Sequence, residues 1–214
     1  MATLHGRNRI FFGSDKPYLR YQTQIAVIEA ANISQKVKRK IFRENFLKLF
    51  GEKMLKETLN VLPEKGVYTL IIFLSEKSFM KIGKLGEFNF PKGYYAYTGS
   101  ALGPNKSLQN RVYRHLCKEK RLRWHIDYFL QSPKVTVTAV VAIETNKKLE
   151  CKVNKLIAKK LNGTVLVEGF GASDCKEKCK SHLLFLDEME SVEFETLKLY
   201  RENFGEESSA IFLV

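Results

Sequence analysis

The sequence predicts an α+β fold: a small antiparallel or mixed sheet flanked by helices, with an N-terminal helical appendage. Three observations carry this. Tyr68–Leu74 and Tyr94–Thr98 are short β-branched and aromatic runs. From Asn105 the period changes to near four, through Leu108, Val112 and Leu116. The same switch recurs between Val135–Ile143 and Glu150–Leu161. The chain divides accordingly into an N-terminal helical segment (1–63), a main domain (64–190) and a tail packing on it (191–214). Its 214 residues allow one generous domain or a domain with an appendage, and a hydrophobic share of 44% supplies a core.

Taken in order, Arg9–Asp15 reads as a short strand ending in a turn. Ile25, Ile28 and Ala31 mark a first helix. Ser34 is a good N-cap for a second, running through Val37, Ile41, Phe42, Leu49 and Phe50 to a stop at Gly51. Met54, Leu55, Leu59 and Leu62 extend this to a third short helix, and Pro63 closes the linker. In the main domain, strands are expected near 67–74 and 94–99, the second entered by the turn signal Pro91-Lys92-Gly93. Gly83-Lys84-Leu85-Gly86 between them is too rich in glycine for a helix, so an extended hairpin arm fits best. Alternation puts Tyr95 and Tyr97 on one face, and Gly99 lets backbone approach a ligand or a neighbouring helix. On the helix near 106–118, Arg111 and His115 form a second stripe expected to face out near two tyrosine hydroxyls. Arg123–Leu130 reads as a helix on which Trp124 and Tyr128 share a face. His125 and Asp127 then diverge by about 200°, too far for a dyad, so a packed tryptophan is favoured over a phosphate- or base-contacting role. A third strand at 135–143, a helix at 150–161 ending at Gly163, an apolar strand at Leu183–Leu186 and a last helix and strand complete the chain.

The formal charge of +13 is unevenly spread. Residues 1–60 hold 12 basic against 5 acidic side chains, residues 61–190 hold 22 against 13, and residues 191–214 hold 2 against 5. The excess is locally intense from Lys106 to Arg123, which points to a polyanion, with Arg114, Lys118, Lys120, Arg121 and Arg123 as nucleic-acid-binding candidates. The competing reading is a solvated, solubilising face. No run of about 18 apolar residues and no charged-then-apolar N-terminus occurs, so a soluble cytoplasmic protein with no membrane partner is expected, its four cysteines reduced.

Gly66-Val67-Tyr68 and Tyr97-Thr98-Gly99, followed by Leu108-x-x-Arg111-x-x-x-His115, resemble the GIY-YIG nuclease superfamily. Trp124-His125-Ile126-Asp127-Tyr128 and Gly169-Phe170-Gly171-Ala172-Ser173-Asp174-Cys175 narrow the resemblance, which covers roughly residues 64–187, to a little-characterised branch described as a domain of unknown function. It implies metal-assisted phosphodiester hydrolysis, with Tyr68, Tyr97, Arg111 and His115 as catalytic residues and Glu150 holding Mg²⁺ or Mn²⁺. The two tyrosine motifs are unusually far apart, the loop from Gly99 to Arg111 is long, and Ser100 stands where some relatives have lysine. Residues 1–50 resemble the C-terminal end of an amidohydrolase-type hydrolase, in which Asp15 would be a metal ligand. One strand cannot make an eight-stranded barrel, so Asp15 is expected to be inert.

Cys175-x-x-x-Cys179-x-x-His182 offers a structural or zinc cluster, with Cys151 able to supply a fourth ligand. It is weighed against small buried cysteines in a turn. The function expected is a metal-dependent endonuclease, with DNA favoured over RNA. The alternatives are a non-catalytic nucleic-acid-binding module and, more weakly, an amidohydrolase fragment.

Overall fold

Gly66–Leu74 (β1) is buried almost from end to end because both faces of this strand are covered, and the rest of the domain is arranged to cover them. The computed structural model describes residues 10, 12, 21–45, 57–103, 107–117, 119–189, 191–205 and 209–214. These fall into two units, Met1–Thr58 and Leu59–Val214.

In the first unit, helix α1 spans Tyr21–Ala30 and α2 spans Gln35–Arg39, continuing into a π-helical turn over Lys40–Glu44. Ser34 caps α2 as expected, its hydroxyl accepting from the Val37 amide at 3.4 Å. Of the expected strand at 9–15 only Ile10 and Phe12 are described, and neither is in a strand. Phe12 instead donates its amide to the Ile41 carbonyl at 3.0 Å. Gly13-Ser14-Asp15 and the expected helical positions Leu49 to Leu55 lie outside the described residues.

The second unit begins with a 3-10 turn, Leu59–Val61, in which Leu59 is buried. β1 pairs antiparallel with β4 (Gly93–Ala101) on one side and β5 (Val135–Glu144) on the other. β6 (Leu183–Asp187) adds to β4, and β7 (Ser209–Leu213) adds to β5, giving a five-stranded sheet of order β6-β4-β1-β5-β7. β2 (Ser78–Lys81) and β3 (Glu87–Phe90) form a separate ribbon, and Gly83–Leu85 makes a 3-10 turn at its tip. The expected arm is therefore a two-stranded hairpin.

Helices cover the sheet on both sides. Val67, Ile71, Ala96, Ala139 and Val141 pack with α5 (Glu150–Lys160) and α6 (Val192–Phe204) through Val153, Ile157, Leu197 and Tyr200. The alternate residues, including Tyr68, Tyr95 and Tyr97, face α3 (Leu108–Leu116) and α4 (His125–Gln131), where Phe129 meets Tyr95 and Phe90. The tail is thus integral to the sheet and its cover, and among the described residues no helix is long and apolar enough to cross a membrane.

The two glycines of the tyrosine motifs have steric reasons. A Cβ on Gly66, whose φ is +151°, would fall 1.9 Å from the Ile143 carbonyl oxygen across the β1–β5 pair. A Cβ on Gly99 would fall 2.7 Å from the Tyr68 hydroxyl, so Gly99 makes room for a side chain of the neighbouring strand. Expected instead was an approach by a ligand or helix.

Because the second unit holds both helical layers and, among the described residues, every strand, a chain beginning at Leu59 should fold alone. In urea, far-UV circular dichroism and the fluorescence of its single tryptophan should report one coincident transition. Gradual, non-coincident loss of signal would show that the first 58 residues complete the core.

Candidate active site

Four elements converge on one cleft of about 700 Å³ along the Tyr97–Gly103 end of β4. β1 supplies Tyr68, β4 supplies Tyr97 and Ser100, α3 supplies Arg111, and α5 supplies Glu150 at its first residue. Arg123, Trp124, Lys148, Ser173, Asp174 and His182 are also among its lining residues.

Tyr68 and Gly99 are paired across β1 and β4, so the Tyr68 ring lies over a bare backbone and its hydroxyl reaches Nε2 of His115 at 2.8 Å. His115 was expected on an open stripe. It is 3% exposed and does not line the cleft, because its ring packs among Tyr68, Tyr97 and Trp124. Burial, with the nearby positive charge of Lys120 adding to it, pushes His115 down to about 3, so the imidazole is neutral near pH 7. Its Nδ1 has no hydrogen-bond partner among the described residues. Burial also holds the Tyr68 hydroxyl well above the ordinary phenol value, against the lowering pull of Arg111, and pushes Tyr97 up to about 12. Both tyrosines are therefore hydroxyl donors at neutral pH, not phenolate bases.

The two arginines of α3 have different surroundings. Arg114 makes a two-pronged ion pair with the fully buried Asp127, at 2.8 and 2.9 Å, and donates to the Arg121 carbonyl at 2.7 Å. Asp127 also accepts from the amides of Arg123 and Trp124, both at 2.9 Å. Burial alone would raise Asp127; these donors hold it below the usual carboxylate range. Arg111 donates to the Ser100 carbonyl and lies 4.8 Å from the centre of the Trp124 ring. Among the described residues it has no carboxylate partner, so its charge is left for the cleft. Ser100 meanwhile donates its hydroxyl to the Glu150 carboxylate.

Of the other basic candidates, Lys120 donates to the His115 carbonyl at 2.6 Å, Arg121 and Arg123 are exposed, and Lys118 lies outside the described residues. Beside the cleft, Cys175, Cys179 and His182 are joined by Cys151 of α5, with the four ligand atoms all within 4.8 Å of one another. These residues could hold a metal ion. Asp174, Ser173 and Lys148 were not singled out as site residues from sequence. The Gly169–Cys175 string that helped carry the resemblance was the signal that pointed to the first two.

A family model described as Domain of unknown function DUF123 matches residues 67–204. No curated protein and no solved structure matches the chain.

The buried neutral histidine has a measurable consequence. Its folded value lies below its unfolded one, so between about pH 6.5 and 3 the unfolded state binds the extra proton and stability falls as pH falls. Urea unfolding between about pH 7 and 4 should show this slope, up to about 1.4 kcal/mol per pH unit from this group, and His115→Gln should flatten it. An unchanged slope in the variant would mean that His115 titrates normally.

Proposed function

We propose that this chain, which belongs to the family described as Domain of unknown function DUF123, is a metal-dependent endonuclease of the GIY-YIG type acting on nucleic acid, with DNA favoured over RNA. The observation that carries the reading is the convergence of Tyr68, Tyr97, Arg111 and Glu150 from four elements on one cleft. A half-buried arginine with no carboxylate partner among the described residues, facing a cleft with a basic rim, is suited to a phosphodiester: its planar fork of donors matches phosphate oxygens.

Glu150 offers a hard oxygen donor, and Mg²⁺ or Mn²⁺ needs few protein ligands because such ions keep several waters. Bound there, the cation would polarise a phosphoryl oxygen and acidify a water. The chain's own residues orient and move the proton. Tyr68 stays protonated; its oxygen accepts a proton from the attacking water as its own passes to His115 Nε2. That requires the tautomer with the proton on Nδ1, the nitrogen without a partner. Burial, with the charges of Lys120, Arg111 and Arg114 adding to it, makes His115 a weak acceptor, and a phosphodiester in the cleft offsets the charge part of that lowering. Water oxygen bonds to phosphorus, the bond to the leaving oxygen breaks, and that oxygen takes its proton from the Tyr97 hydroxyl, a reading supported by Tyr97 lining the same cleft.

The test is cleavage of branched, duplex and single-stranded substrates with each divalent ion. Tyr68→Phe removes one hydroxyl and should lower the rate by about 10²–10⁴ while leaving affinity nearly unchanged. Glu150→Ala should abolish metal-dependent cutting and spare binding. Binding without cleavage by the wild type under all these conditions would leave a non-catalytic binding module.

Binding itself should be salt-sensitive and blind to sequence, a reading supported by Arg111, Arg123 and Lys148 in the cleft lining and by the exposed Arg121 in the α3–α4 connection. Neutralising about four phosphates implies a slope of log K against log salt of about −3 to −4 on duplex DNA. A slope near zero would return the charge to a solubilising role.

A further inference from the structure

Between the end of α5 and the start of β6, residues 161–182 contain turns and one isolated bridge from Thr164 to Phe185, but no helix or strand. Segments of this length without secondary structure need fixing from elsewhere. This one is tied to α5 by the Asn154 side chain, which donates to the Ser181 carbonyl at 2.7 Å, and its second half closes on itself where the His182 amide donates to the Phe170 carbonyl at 2.8 Å. Next to these ties sit three sulfurs and an imidazole. Cys151 Sγ is 3.3 Å from Cys175 Sγ and 4.0 Å from His182 Nε2, and Cys179 closes the group, with all four atoms within 4.8 Å.

A tetrahedral zinc with Zn–S of about 2.3 Å and Zn–N of about 2.0 Å has ligand–ligand edges of about 3.5–3.8 Å. The observed separations bracket that range, whereas a disulfide needs sulfurs at about 2.05 Å. We propose that Cys151, Cys175, Cys179 and His182 bind one zinc ion, which clips the segment before β6 to the first turn of α5.

The donor set is the soft, closed kind. Four protein ligands complete the coordination and leave no position for substrate, which makes the site structural. Three thiolates and one Zn²⁺ carry a net charge of −1, and Lys155, Lys176, Lys178 and Lys180 surround the ligands in the chain. Its consequence for the cleft is positional. Cys151 follows Glu150 directly, and the clipped segment supplies Ser173, Asp174 and His182 to the cleft wall, so one ion fixes two walls against each other. This site is separate from any Mg²⁺ at Glu150 and does not depend on nuclease activity.

Protein produced with zinc in the medium should carry one zinc per chain by inductively coupled plasma mass spectrometry. Replacement by Co²⁺ should give thiolate-to-cobalt charge-transfer bands and the intense visible absorption of a tetrahedral site. Cys175→Ser and Cys179→Ser should each lower the zinc content well below one. His182→Cys, which keeps four soft ligands, should retain it, and Cys117→Ser, outside the cluster, should leave it unchanged. Where a serine variant fails to fold, the cobalt spectrum of the wild type still decides. Wild-type protein without stoichiometric zinc, a Cys151–Cys175 disulfide in the isolated chain, or full zinc retention after both serine replacements would overturn the proposal.

Discussion

The constraint on which the rest depends is that the central strand is buried on both faces yet carries two hydroxyl side chains at its start. A buried hydroxyl without a partner costs on the order of 1–3 kcal/mol. Tyr68 and Thr69 point to opposite faces of β1, so each layer of helices must answer one of them. On one side α3 brings His115 to Tyr68. On the other, Thr69 meets the Thr98 hydroxyl at 3.1 Å and the Tyr200 hydroxyl of α6 at 2.8 Å. The helical layers are thus registered to the sheet by polar contacts as well as by apolar packing, and the same contact that satisfies Tyr68 assembles the cleft.

Burial then sets the chemistry the cleft can offer. It keeps His115 uncharged and the two tyrosines protonated, with the Arg111 guanidinium and the Glu150 carboxyl group beside them in the cleft wall. A site built this way holds protons at neutral pH and supplies fixed positive charge, which suits binding an anion and orienting a water better than ionising a side chain.

Much of this fold was legible. β1, β4 and β5 stand out because double burial demands β-branched and aromatic runs, and α3 and α5 because their apolar residues recur near every four. What could not be read was the depth of individual side chains. His115 shares a stripe with Arg111, and spacing alone gives both the same exposure. Only the packing of α3 against Tyr68 and Trp124 separates them, burying the shorter ring while the longer arginine reaches the cleft. Arg114 likewise reads as another surface cation until Asp127, which lies on the next helix, is brought against it. Cys151 stands 24 residues from Cys175, so the cluster is visible in sequence as three ligands and a candidate fourth. The fold turns these into a single group.

The junction of α3 and α4 explains why one arginine is neutralised and the other is not. Arg114 and His115 lie in the last turn of α3, where the helix dipole favours positive charge, and Asp127 lies in the first turn of α4, where it favours negative charge. The two ends face each other, and the Arg114–Asp127 pair joins them, with Asp127 also accepting from the amides of Arg123 and Trp124 that lead into α4. Asp127, held by these donors, is not shared with Arg111, one turn earlier. Trp124 sits against both guanidinium groups, 4.3 Å from Arg114 and 4.8 Å from Arg111, and so ties the neutralised arginine to the uncompensated one. The charge presented to the cleft is therefore a by-product of how two helix ends satisfy each other. Loosening the Asp127 clamp would disturb Arg111 through Trp124 without touching the cleft directly.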